Sequence, residues 1–212
     1  MSEQNTEEWR LARVGKVTAS RVQDIIATVK SGGLSAGYKN YQAELVAERL
    51  TGVPQGSEFQ SPAMLAGSEL EAEARNAYAF LYNADITEVG FMPHPFIPNA
   101  GCSPDGLVND DGLVEIKCPN TATHIDFLLT GKIPIAYATQ MAFQMACTGR
   151  RWCDYASYDR RMPEHMRLHV FRVRRDENII EQLDIKVQAF LAELDATVAM
   201  LRQRFPTPAE AA

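Results

Sequence analysis

The chain has 212 residues, 46% of them hydrophobic and 23% charged, with a formal net charge of −6. That length fits one folded domain, read as residues 1–212, and that balance is typical of water-soluble globular proteins. No apolar run nears the roughly 20 residues that span a bilayer, which excludes a membrane protein, and the acidity excludes a protein that coats nucleic acid indiscriminately. The polar start at residues 1–8 is expected to be unstructured and carries no secretion signal. The four cysteines lack C-x-x-C spacing and read as reduced thiols in a cytoplasm.

From Thr18, the apolar residues Val22, Ile25, Ile26 and Val29 follow helical spacing, predicting a helix over 18–29 stopped by Ser31-Gly32-Gly33. A second helix is expected over 38–51, closed by Gly52, and a third over 62–82, with Ser61 as cap and Pro62 in the first turn. The third carries Glu69, Glu71 and Glu73, which taken alone read as a solvated face. A strand is predicted over 86–92, then a proline-punctuated segment from His94 to Pro98. After the segment 101–120 come helices over 121–130 and 134–148, strands over 152–158 and 167–173, and a long helix from Asp176. Ile180, Leu183, Val187, Phe190, Leu194, Val198 and Leu201 give that last helix one apolar face. From Pro206 the chain reads as a loose tail. The order predicts an α/β fold, a central mixed sheet flanked by helices.

Chemistry concentrates in the segment 101–120. Leu107-Val108 and Leu113 to Ile116 flank Asn109-Asp110-Asp111-Gly112, a strong hairpin signal. Alternation places Leu113, Glu115 and Lys117 on one face and Val114 and Ile116 on the other. A loop from Asp110 to Gly112 would set Asp105 opposite Lys117. Mg²⁺ takes oxygen donors in octahedral geometry, and Asp105, Glu115 and the carbonyl of Ile116 can supply them. Lys117 can activate water or stabilise charge developing on phosphorus. On the helix over 134–148, Tyr137, Gln140 and Gln144 form a polar stripe that either lines a polar site or faces water. Eight arginines between Arg150 and Arg175, and a smaller group of Arg10, Arg13 and Lys16, read equally as solvated charge or as local contacts for a polyanion. No H-x-x-x-H pair, G-x-S-x-G or P-loop occurs, which argues against zinc, serine-hydrolase and nucleotide-triphosphate chemistry.

Ser103-Pro104-Asp105-Gly106-Leu107 with Glu115-x-Lys117-Cys118-Pro119 resembles the lambda-type phage exonucleases, YqaJ-like viral recombinases of the PD-(D/E)xK nuclease superfamily. The likeness extends to Trp9-Arg10-Leu11-Ala12-Arg13-Val14-Gly15, Val17-Thr18-Ala19-Ser20, Gly67 with Glu71 and Ala74-Arg75, and Tyr158-Asp159-x-Arg161-Met162. The resemblance implies a restriction-endonuclease-like core and a processive 5′→3′ exonuclease on double-stranded DNA. Such an enzyme releases mononucleotides and leaves 3′ overhangs; a structure- or site-specific endonuclease on the same core is the alternative. It implies two Mg²⁺ ions, with Mn²⁺ as a substitute, held by Asp105, Glu115 and Ile116, with Glu71 supporting the second through water. Lys117 would activate water, with Gln140 beside it. Arg13, Ser20 and Ser103 would bind the 5′-phosphate, helped by the N-terminus of the helix from Thr18. It also implies a homotrimeric ring, a single-strand annealing partner, and a phage or prophage protein in the bacterial cytoplasm. Gln144 departs from the superfamily's Gln-x-x-x-Tyr.

Overall fold

The computed structural model of the chain describes residues 4–29, 33–55 and 62–206. The expected helix stop at Ser31-Gly32, the cap at Ser61 and the tail beyond Pro206 lie outside them. In chain order the elements are α1 (Glu7–Arg13), β1 (Val17–Thr18), a 3-10 turn (Ala19–Arg21), α2 (Val22–Ile26), α3 (Ala36–Thr51) and α4 (Pro62–Tyr82). There follow β2 (Ile86–Thr87), β3 (Met92–Pro93), β4 (Ala100–Cys102), β5 (Gly106–Val108), β6 (Gly112–Lys117), α5 (Thr121–Thr130) and α6 (Ile135–Thr148). The chain continues through β7 (Trp152–Tyr158), a second 3-10 turn (Glu164–Met166), β8 (Leu168–Arg174) and α7 (Glu177–Arg204).

The main sheet has strand order β2-β5-β6-β7-β8; β6 and β7 run parallel and the other pairs antiparallel. A parallel pair needs a crossover, and α5 and α6 supply it. A smaller sheet, β1-β4-β3, pairs β1 and β4 in parallel. Alternation in β6 and β7 feeds two cores. Val114, Ile116, Trp152, Ala156 and Tyr158 pack with Ala74 and Tyr78 of α4. Leu113, Cys153 and Tyr155 face the other way, against α2, α3, α5, α6 and α7. The fold is therefore a mixed sheet between helical layers, and β6, buried on both faces for five of its six residues, runs through its centre.

Helices with chemically marked ends form where the sequence places them. Asn120 accepts from Thr123 N–H to start α5, and Gly131 at φ 63° ends it. Asp176 accepts from Asn178 and Ile179 N–H to start α7. Four expectations are corrected. Residues 18–29 do not form one helix: Thr18 pairs with Gly101 in the small sheet, and the helical part ends at Ile26. The strand over 86–92 is two short strands in different sheets. Within the stretch 1–8, the described residues take up structure: Gln4 is hydrogen-bonded and Thr6 caps α1 through Trp9 N–H. The hairpin loop is Asn109 to Asp111, with Val108 paired to Gly112. Asn109 takes a left-handed φ of 46°, and Arg150 Nη1 donates to the carbonyls of Val108, Asn109 and Gly112 at 3.1, 2.8 and 2.9 Å. Continuing that register sets Asp105 across from Glu115, not from Lys117.

Candidate active site

The centre of the site is Glu115, whose side chain is fully buried on β6. Its Oε1 accepts from Lys117 Nζ and from Gln140 Nε2 at 2.7 Å; its Oε2 accepts from Gln144 Nε2 at 2.7 Å. A buried carboxylate needs such donors, because an unpaired charge in a protein interior is costly. Gln140 and Gln144 stand four residues apart on α6, one turn, and so reach the same group. The polar stripe therefore lines a polar site. Its third member, Tyr137, presents its ring 5.0 Å from Lys117 Nζ. Gln144 Oε1 also faces the Cys153 thiol, which donates across 3.9 Å.

Asp105 directly precedes β5, at the end where β6 runs on past its partner strand. Its Oδ2 accepts from Ile116 N–H at 2.7 Å, so the side chain does what a backbone carbonyl does further along the ladder. Burial, then the charges of Glu115 and Glu71, pushes the Asp105 carboxyl well above its usual range. Burial likewise raises Glu71, against the pull of Arg75 and Lys117. Burial works against the Lys117 ammonium, but Glu115 and Asp105 more than offset it and hold its pKa above the ordinary lysine value. Acidic groups crowded into a site that resists their ionisation form a setting in which an added cation is stabilised.

No three His, Cys, Asp or Glu side chains close up into a metal-binding group among the described residues. What the site offers is two carboxylates on neighbouring strands, the Ile116 backbone and, further out, Glu71 on α4. An all-oxygen set of that size, completed by water and phosphate oxygens, suits Mg²⁺, which seldom takes a full cage of protein ligands. The residues present fit the expected ion.

Arg13 and Ser20 line a separate cavity of about 600 Å³, together with Arg10, Lys16, Arg21 and Tyr41. Asp105, Glu115 and Glu71 lie outside its lining, and so does Ser103. Trp9 links the two places. Its indole N–H donates to Ser103 Oγ at 2.9 Å, and the Arg13 guanidinium stacks on its ring at 3.9 Å. Gln4 ties the same segment down, donating to the carbonyls of Pro104 and Val89 at 2.8 and 3.0 Å. Ser20 Oγ lies 3.4 Å from Thr18 Oγ1. Burial lowers the Arg13 pKa, partly offset by Tyr41 and Glu48. The expected helix N-terminus at this cavity is replaced by a single 3-10 turn, so side chains, not a helix dipole, set its charge, with Glu7, Glu44 and Glu48 on the wall beside the four cations.

The larger arginine group is mostly engaged. Arg172 forks onto Asp154 at 2.8 and 2.9 Å, Arg160 pairs with Glu73, and Arg161 with Asp159 at 2.7 Å. Glu73 lies 87 residues from Arg160 and Asp154 lies 18 from Arg172, so a charge run could not reveal those two partners; Asp159 is only two residues from Arg161. The contacts of Trp9 with Ser103, of Gln4 with Pro104 and of Arg75 with the Asp105 carbonyl span 94, 100 and 30 residues, which is why the sequence did not place these side chains at the site. The spacing of Gln140 and Gln144 was the one local signal that two amides address a single group.

The model of the YqaJ-like viral recombinase domain matches residues 8–151. LHK-Exo, an alkaline exonuclease from Laribacter hongkongensis, superposes with a TM-score of 0.86 at 48% identity, covering 94% of this chain and 97% of that one. LHK-Exo in complex with dAMP gives a TM-score of 0.87 at 49% identity, with the same coverage. A phage related exonuclease from Haemophilus somnus 129PT shares the fold, with a TM-score of 0.67 at 17% identity over 88% of this chain and 96% of that one. No curated protein matches.

Proposed function

Because the chain belongs to the YqaJ-like viral recombinase domain family, we propose that it is a Mg²⁺-dependent exonuclease that digests the 5′-ended strand of double-stranded DNA. It releases mononucleotides and leaves 3′ overhangs for strand annealing. The observation that carries this reading is the buried Glu115 carboxylate, bracketed by Lys117, Gln140 and Gln144 beside Asp105. LHK-Exo, an exonuclease of 49% identity, forms a complex with dAMP, a mononucleotide of the kind such a reaction releases.

Asp105, Glu115 and the Ile116 carbonyl would hold the metal, with Glu71 supporting a second ion. When bound, the metal ions polarise the phosphodiester and lower the pKa of water. Lys117, kept charged by Glu115, orients the attacking water and stabilises negative charge growing on the phosphate oxygens. Gln140 and Gln144 fix the Glu115 carboxylate. Arg13 offers a planar fork to a terminal 5′-phosphate, with Ser20 on the same cavity wall and Ser103 leading toward Asp105. A 5′-phosphate held there sets the next phosphodiester at the reacting position, and each cut presents a new 5′-phosphate. In the same reading the protein works as a homotrimeric ring in the host cytoplasm, with a single-strand annealing partner.

Linear duplexes with 5′-phosphate or 5′-hydroxyl ends, with and without Mg²⁺, test the proposal. The expected outcome is Mg²⁺-dependent release of mononucleotides, faster from the 5′-phosphate end. Arg13→Ala slows that end about ten-fold or more, or about 1.4 kcal/mol, and barely alters the hydroxyl end. Equal slowing of both ends removes the proposed source of polarity. Cutting of covalently closed circles makes the protein an endonuclease instead.

A further inference from the structure

Arg75 contacts three segments of the chain at once. Its Nη2 donates to Glu71 Oε1 at 2.9 Å, one turn earlier on α4. Its Nε donates to the backbone carbonyl of Asp105 at 3.2 Å. Its Nη1 pairs with Glu88 Oε2 at 2.9 Å, in the connection after β2. The Arg75 side chain is only 16% exposed, against 67% for Glu88. A Glu–Arg pair one turn apart on a helix is ordinarily a minor surface contact, about 0.2–0.5 kcal/mol. This one differs, because the same guanidinium also grips the backbone of a residue placed at the metal site. Only a planar fork with donors on several edges serves three acceptors in different directions.

The charges around the site divide between two cations. Lys117 holds Glu115 from β6. Arg75 holds Glu71 from α4 and, through the carbonyl, steadies Asp105, whose carboxylate is bound at Ile116 N–H. Without Arg75, Glu71 would lose this ion pair and face the charges of Asp105 and Glu115. We propose that Arg75 is a positioning residue that fixes Glu71 and Asp105 relative to each other, setting the spacing of the donors that receive divalent metal.

The inference rests on the reading of these carboxylates as metal donors, and the test separates the two. Mg²⁺ is titrated calorimetrically into the full-length protein without DNA, and kcat and KM are measured on linear duplex. Arg75→Met, which keeps the aliphatic stem, weakens Mg²⁺ uptake about ten-fold or more, the scale found for groups that orient metal ligands. It lowers kcat by a similar factor with KM for DNA within about two-fold, a loss confined to the reacting state. Arg75→Lys, which restores charge but not the fork, recovers only part of the loss. Glu88→Gln, a change at an exposed side chain, removes the charge from one arm of the clamp and weakens Mg²⁺ uptake by less than the roughly ten-fold expected of Arg75→Met. It gives the answer if Arg75→Met does not fold. Mg²⁺ uptake equal to wild type in Arg75→Met, or in Glu88→Gln where only that variant folds, overturns the proposal. So does full rescue by Arg75→Lys. Wild-type protein that takes up no Mg²⁺ refutes the metal reading itself.

Discussion

At the centre of the molecule, an ion pair joins two side chains of one strand, the Lys117 ammonium and the Glu115 carboxylate. They share a face of β6 because one residue separates them. Lys117 is the more accessible partner, with its side chain 25% exposed against 0% for Glu115, so it is the one that can meet a bound phosphate. Lys117→Ala is therefore expected to lower the single-turnover rate by at least about 10²-fold, with Mg²⁺-dependent DNA binding retained. A filter-binding or fluorescence titration checks the second half; a rate within a few-fold of wild type removes Lys117 from the chemistry. At this scale the sequence was informative where the chemistry is local. Asp105, Glu115 and Lys117 could be named because a hairpin brings them together. Arg75 and Trp9 could not, because nothing near them in the chain hints at the Asp105 carbonyl or the Ser103 hydroxyl.

Single elements show why some boundaries were legible and others were not. α5 and α7 carry their own start signals in Asn120 and Asp176. The stretch after Thr18 carries helical periodicity, but its first residue is claimed by β4 of the small sheet, a partner some eighty residues away. Gly112, read as a loop residue, opens β6 because the Trp152 ring lies where its side chain would be: a Cβ there would sit 2.0 Å from Trp152 Cζ2. That ring cannot easily yield. Its N–H donates to Asp111 Oδ1 at 3.0 Å, and Arg172 stacks on it at 3.4 Å. Gly112→Ala should therefore destabilise the fold by about 1–3 kcal/mol or more, read from urea unfolding. The turn after β7 gives a pH-dependent case. Burial opposes ionisation of Asp159, but hydrogen bonds from Arg161 and Thr121 bring its pKa from the usual 3.8 down to about 2. A depressed carboxyl contributes stability above its unfolded value, and that contribution disappears as pH falls through the folded value. Arg161 is half exposed, which screens the pair, so Arg161→Met should lower stability only modestly near pH 6. The gap between variant and wild type should close between about pH 4 and pH 2; a gap constant with pH would show that Arg161 acts through packing alone.

For the whole molecule, the proposed function would require a net charge of −6 to coexist with a DNA-facing surface. A ring meets that requirement by keeping cations such as Arg13 inward and acids outward. Large apolar side chains, among them Phe80, Phe96, Leu129 and Ile135, stand more than 70% exposed in the single chain, which is material for contacts between copies. Light scattering is expected to give three times 23.6 kDa; a monomer under active conditions would contradict the ring. One feature of the fold also bears on how such a preparation ages. The two amides that hold Glu115 belong to α6, whose Met141, Phe143 and Met145 are packed at the heart of the larger core. The groups that hold the reacting carboxylate and the groups that hold the protein together thus sit on one turn after another of the same helix. Loosening that helix would loosen the reacting carboxylate and the core together. A sample that has lost half its activity to heat should be a mixture of intact molecules and dead ones, each survivor turning over at the full rate.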